Sequence, residues 1–145
     1  MKSVEESIAI NTSPEKIWDI LTDVKQYPAW NPFIKHIEGP IVERKRIRAT
    51  IQLPGNNPMV FVPRLLSVKQ PVELIWLGHL LIPGIFDGEH IFLMARESET
   101  TTLFTQKELF SGFLIPFLWP GIEHKTHEGF KLMNKALKEL AEQSS

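Results

Sequence analysis

His90 and Glu108 are the two side chains of this 145-residue chain whose types and placing could do acid–base chemistry. An imidazole gains or loses a proton nearest neutral pH, and a carboxylate beside it fixes which ring nitrogen is protonated. The two residues fall in alternating segments, Phe86 to Arg96 and Thr101 to Ser111, joined by a turn over Glu97 to Thr100. Residues of one parity in a strand share a face. Gly88, His90, Phe92 and Met94 therefore lie together, as do Phe104, Gln106, Glu108 and Phe110. A turn centred near Glu99 sets His90 opposite Glu108 and Phe92 opposite Gln106, with opposed Cβ atoms about 4.5–5.5 Å apart. A slip of one residue would carry the whole set to the other face. Two roles are open to the pair. Glu108 orients His90 as a general base, or as an anchor for a ligand carbonyl or hydroxyl; a cyclase acting on a poly-β-keto chain needs such a group to take a proton α to a carbonyl. Alternatively the two satisfy each other as a buried polar pair and touch no ligand.

The elements that must position this pair are readable from the periodicity. Val4 to Asn11 alternates and reads as a strand. Ser13-Pro14-Glu15 is a helix start, with Ser13 as cap, Pro14 at the first position and Glu15 against the helix dipole. Ile17, Trp18, Ile20, Leu21 and Val24 follow at helical spacing. The prolines at 28 and 32 make Asp23 to Pro32 a second short helix or a tight turn. Ile34 to Ile41 and Lys45 to Leu53 read as strands, and Pro54-Gly55-Asn56-Asn57-Pro58 turns the chain into a further strand, Met59 to Val68. Glu73 to Leu80 is a strand around Trp76. Phe113 to Trp119 is apolar and irregular, Pro120-Gly121 restarts the chain, and Ile122 to Gln143 reads as one long helix buried along Phe130, Met133, Leu137, Leu140 and Ala141. Strands followed by a long helix argue for an α+β fold with an antiparallel sheet. A curved sheet around a helix encloses space, and that space is a candidate small-molecule cavity.

Composition narrows the chemistry. The hydrophobic share is 43%, the formal charge −1, and cysteine is absent. Disulfide scaffolds, thiolate metal sites and a cysteine nucleophile are excluded, and a reducing, cytoplasmic setting is expected. A near-neutral charge gives no general attraction to nucleic acid; Arg44, Lys45, Arg46 and Arg48 form the one basic concentration, without aromatics for base stacking. No apolar run approaches the roughly 20 residues of a spanning helix. His124 and His127 stand at helical spacing with Glu123, but no third ligand group is evident, so a solvated helix start is expected and no metal or other cofactor. Trp30, Asn31, Trp76, Phe130 and Met133 are candidate cavity residues, each with a plain core or turn-capping alternative. The run Phe113-Leu114-Ile115-Pro116-Phe117-Leu118-Trp119 is a candidate lid, core segment or partner surface, and a homodimer contact is one use of it.

Several stretches resemble a known family. Ser13-Pro14-Glu15-Lys16-Ile17-Trp18-Asp19-Ile20-Leu21-Thr22-Asp23 is similar to its first helix, and Tyr27-Pro28-Ala29-Trp30-Asn31-Pro32-Phe33 to the segment after it. Leu74-Ile75-Trp76-Leu77-Gly78 and Phe86-Asp87-Gly88-Glu89-His90 resemble its central strands. Glu108-Leu109-Phe110-Ser111-Gly112 and Gly129-Phe130-Lys131-Leu132-Met133-Asn134 resemble its last strand and helix. The family is the SRPBCC group, in the polyketide cyclase/dehydrase-like branch of the START and birch-pollen-allergen superfamily. The resemblance implies a helix-grip fold over residues 1–145: a curved antiparallel sheet of about seven strands around the C-terminal helix, with two short helices after the first strand. It implies a hydrophobic cavity, and relatives that include lipid carriers and aromatic polyketide cyclases. The leading expectation is a protein that binds one hydrophobic molecule (a lipid, polyketide or aromatic metabolite) through Trp30, Asn31, Trp76, His90, Phe92, Gln106, Glu108, Phe110, Phe130 and Met133. The alternatives are a cyclase or dehydratase using His90 and Glu108, and an interaction module using Phe113 to Trp119.

Overall fold

The computed structural model describes residues 1–80 and 82–143. In chain order the strands are β1 (Lys2–Ile10), β2 (Ile34–Glu38), β3 (Arg48–Ile51), β4 (Met59–Phe61), β5 (Arg64–Lys69), β6 (Glu73–Leu80), β7 (Phe86–Arg96) and β8 (Thr102–Ser111). The helices are α1 (Pro14–Thr22), α2 (Tyr27–Trp30) and α3 (Ile115–Gln143), with one 3-10 turn at Val24–Gln26. Five antiparallel strands form a sheet in the order β1-β8-β7-β6-β5, and three more form β2-β3-β4. This is the helix-grip arrangement, α+β with the long C-terminal helix held by sheet.

Local chemistry accounts for most boundaries. Ser13 Oγ accepts from Lys16 N at 3.2 Å and caps α1, whose Ile17, Trp18 and Leu21 are buried. The Asp23 to Pro32 segment resolves into the 3-10 turn and α2. Tyr27 is fully buried and its hydroxyl donates to the Leu21 carbonyl, tying that turn to α1. Gly112 has φ +118°, and a Cβ there would collide with the Ile85 carbonyl, so only glycine turns the chain from β8 toward α3.

The structure departs from the sequence expectation in three places. Met59 to Val68 is two strands, because Pro63 has no N–H to give a ladder and the chain changes sheets there, making eight strands in place of about seven. Ile34 to Ile41 and Lys45 to Leu53 shorten to β2 and β3, the former ended by Gly39 at φ +120°. Finally, within Phe113 to Trp119 only the first two residues form a turn, and Pro120 does not restart the chain: α3 begins at Ile115 and runs through Pro120. Pro116 is the second helical residue, where a missing N–H is harmless. Pro120 forfeits one helical bond, to the Pro116 carbonyl, and both prolines are exposed, where water can take that acceptor.

The interior is divided. Around the later turns of α3 it is solid: Ile10, Ile17, Leu21, Phe92, Phe104, Phe130, Met133 and Leu137 are all buried. Gly129 lets α3 come down on Phe33, whose ring occupies the space a Cβ would need and meets Phe130 edge-on at 5.6 Å. Toward the first turns of α3 the interior is hollow.

Candidate functional site

The hollow is a cavity of about 360 Å³. Ala49 and Ile51 of β3 and Met59 and Phe61 of β4 form one wall. Trp76, Gly78 and Leu80 of β6, Phe86 and Gly88 of β7, and Glu108 and Phe110 of β8 form the second. Leu118, Gly121, Ile122, Lys125 and Thr126 of α3 form the third, and Phe33 lies between. The exposed members are Asn57, Met59, Leu118 and Gly121, so the mouth lies between the β3–β4 hairpin tip and the start of α3. There Lys125 Nζ donates to Asn56 Oδ1 at 2.5 Å. Among the described residues the ionisable side chains in the lining are two, Glu108 and Lys125, on facing walls.

The expected register holds. His90 pairs with Glu108 and Phe92 with Gln106 across β7 and β8. His90 Nδ1 lies 2.8 Å from Glu108 Oε1, and His90 Nε2 lies 2.9 Å from Gln106 Oε1. Gln106 Nε2 donates to Asn134 Oδ1 at 3.0 Å, and Asn134 Nδ2 donates to the Glu6 main-chain carbonyl at 3.2 Å. The Glu6 carbonyl can only accept, so the amide orientations follow back along the chain of bonds. Asn134 must present Nδ2 to Glu6 and Oδ1 to Gln106; Gln106 must present Oε1 to His90. His90 Nε2 therefore carries a proton. A single further proton lies between Nδ1 and Glu108 Oε1, either as imidazolium against carboxylate or as carboxylic acid donating to neutral imidazole.

His90 itself does not reach the cavity surface. It is 1% exposed, enclosed by Phe92, Trp76 and Phe130 at ring centroid distances of 4.5, 5.2 and 5.3 Å. Glu108 is the member of the pair that lines the hollow. Its Oε2 lies over Gly88, in the place a Cβ would fill, so glycine at that position makes room for the carboxylate. His90, Gln106 and Asn134 hold Glu108 from behind.

The other expected lining residues divide. Trp76 and Phe110 lie on the cavity with Glu108. Phe92, Gln106, Phe130 and Met133 do not line it; they are buried in the solid half, where facing side chains fill the space. Asn31 caps a turn: its Oδ1 accepts from Phe33 N at 2.9 Å and Ile34 N at 2.8 Å. Trp30 faces a separate depression with Lys16, Ile20 and Leu140, beyond the solid half. His124 and His127 pair apart, with Glu128 and Glu6 respectively, each at 2.6 Å. Among the described residues no three His, Asp or Glu side chains gather around a common point, and no helix is long and apolar enough to cross a membrane. Phe113, Phe117 and Leu118 are exposed, while Ile115 is buried and Trp119 packs edge-on against Phe110 at 5.5 Å.

Lys125, Gly88, Phe33 and the β3–β4 side chains were not anticipated. For Lys125 the signal was available: Leu118, Ile122, Lys125, Gly129 and Met133 step by three or four residues, so the buried stripe of α3 runs upstream through the lysine.

Together these features define a helix-grip protein with an apolar cavity bearing one carboxylate and one ammonium group. The chain belongs to the polyketide cyclase/dehydrase and lipid transport family, whose model matches residues 1–142. Among solved structures it is similar to a START superfamily protein from Mycobacterium smegmatis, with 22% identity, 99% of each chain covered and a TM-score of 0.78. It is similar to a protein of Thermus thermophilus at 15% identity, with 99% of each chain covered and a TM-score of 0.76. The norcoclaurine synthase of Thalictrum, solved as a point mutant with a transition-state analogue, matches at 12% identity over 97% of this chain and 93% of that one, with a TM-score of 0.72. At these identities the likeness is one of fold. No curated protein matches the chain.

Proposed function

We propose that the protein binds one small hydrophobic molecule in this cavity and that Glu108 orients its polar end. The observation that carries the reading is the hollow itself: most of its lining is apolar, and the carboxylate on the sheet wall is braced by a four-member hydrogen-bonded chain. Apolar burial at about 25 cal/mol per Å² supplies the affinity, and a ligand hydroxyl or amine donating to Glu108 Oε2 supplies the orientation. The family, polyketide cyclase/dehydrase and lipid transport, agrees with a cavity of this character. Native mass spectrometry of freshly purified protein is the direct test. A mass shift that disappears on denaturation is expected. Ligand-free protein that also takes up no naphthalene-sized probe would overturn the reading.

A second reading is an enzyme of cyclase or dehydratase type using His90 and Glu108, and the bonded chain behind Glu108 favours it. With imidazolium at His90 and carboxylate at Glu108, Oε2 is free to take a proton from a carbon α to a ligand carbonyl. His90 then acts through Glu108 as a positioning residue, and the water-poor wall strengthens the interaction. Solvent deuterium incorporation at the α-carbon of β-tetralone, followed by NMR, separates the two readings. A proton-transfer enzyme speeds exchange and loses about a hundredfold or more on Glu108→Gln; a carrier shows no acceleration over buffer.

A further inference from the structure

We infer that the ligand is an organic anion, an apolar body carrying one carboxylate, sulfonate or phosphate-like group, seated with that group against Lys125. The inference rests on the cavity reading above and adds the charge and direction of what the cavity holds.

Lys125 is half-buried in the helix wall of the hollow, not on the outer face of α3. Its ammonium group has three donors, and Asn56 Oδ1 takes one of them. Among the described residues no carboxylate lies within 4 Å of it. The neighbouring acids are engaged elsewhere or face water: Glu128 pairs with His124, Glu6 with His127, and Glu123 is exposed. Lys138, further along the helix, has its partner in Glu142. A cation drawn partly out of water with one neutral acceptor is an incomplete site, and an anion entering through the mouth completes it.

The facing wall sets the direction. Glu108 is the other ionisable group in the lining, and in its carboxylate form it repels an anion placed beside it. The charged end of the ligand therefore stays at the mouth with Lys125, Asn56 and Asn57, and the apolar body reaches in toward Trp76 and Phe110. A hydroxyl at the inner end meets Glu108.

The test compares naphthylacetate with naphthylacetamide, which share one apolar bicycle and differ in the charge of the head. Binding is measured by isothermal titration calorimetry on the full chain. The wild-type protein is expected to favour the carboxylate by about tenfold, and the preference is expected to shrink as salt rises. In Lys125→Gln, which keeps a donor for Asn56, the preference is expected to vanish, with the larger loss of affinity falling on the carboxylate. Equal binding of the two probes by the wild type, or a preference that survives both salt and Lys125→Gln, overturns the inference and leaves the cavity reading standing. Failure of both probes to bind the wild type overturns this inference, and where the purified protein also carries no ligand it removes the cavity reading too.

Discussion

Buried polar residues carry obligations in both directions, and the chain behind Glu108 shows it. Gln106 serves two neighbours, accepting from His90 and donating to Asn134. Gln106→Leu leaves a ring N–H and an amide oxygen without partners, and is expected to cost about 2–3 kcal/mol in urea unfolding; a change under ~0.5 kcal/mol would mean the bonds contribute little. The facing of His90 and Glu108 was legible in the sequence because strand parity and one turn fix it. The Gln106 contact was not, since Gln106 stands opposite Phe92 and reaches His90 diagonally. Lys125 is masked by its setting: between two histidines at an expected helix start it reads as solvated, and the stripe through Leu118 and Ile122 points inward only once α3 is seen to begin at Ile115. Tyr27 gives a pH prediction. It is the only tyrosine, and burial pushes its hydroxyl well above the ordinary value of 10.0. Below pH 10 both states keep the phenol proton. Above it the unfolded chain releases a proton that the folded chain retains, so stability falls with rising pH, by up to about 1.4 kcal/mol per pH unit. Phenolate absorbance is therefore expected to appear together with loss of helical circular dichroism; phenolate rising near pH 10 in folded protein would contradict this.

Strands and helices place the site through a few close approaches. Gly88 on β7 yields its side-chain space to the Glu108 carboxylate on β8. Gly88→Ala is expected to swing Glu108 aside at small cost in stability, since the displaced atoms end a flexible side chain. The proton shared by His90 and Glu108 should give a downfield NMR resonance in the wild type that the variant lacks; its survival would place Glu108 elsewhere. Element order, the α1 start and the β7–β8 hairpin were legible, each resting on local chemistry such as the Ser13 cap or strand alternation. The beginning of α3 was not. Two prolines and a glycine among apolar residues imitate a break, and it takes the packing of Ile115 and Trp119 against the sheet to show that the helix is already under way. The division of Met59 to Val68 likewise depends on Pro63 standing where the chain passes between sheets, a fact of topology and not of pattern.

The molecule as a whole is solid at one end of α3 and hollow at the other. Filling the hollow is expected to abolish binding without unfolding: Ile51→Trp should lower the affinity for naphthylacetamide by at least about tenfold and move the unfolding free energy by less than ~1.5 kcal/mol. Unchanged affinity would locate the ligand somewhere else. The family and the existence of a cavity were legible, but which half would be filled was not, because Phe92, Phe130 and Met133 are apolar residues of the same kind as Ile51 and Phe61. One seam governs how the hollow behaves. Among the described residues the segment entering β3 is joined to β5, and to the Pro63 just before it, by main-chain hydrogen bonds along a short line: Arg44 N to Leu65 O at 2.8 Å, Leu65 N to Lys45 O at 2.9 Å and Ile47 N to Pro63 O at 3.0 Å. Fastened along one edge, the leaves of this clasp are expected to spread for guests of graded bulk. Affinity across naphthyl, anthryl and pyrenyl amides should then taper from one to the next, where a rigid purse would refuse everything past a single girth.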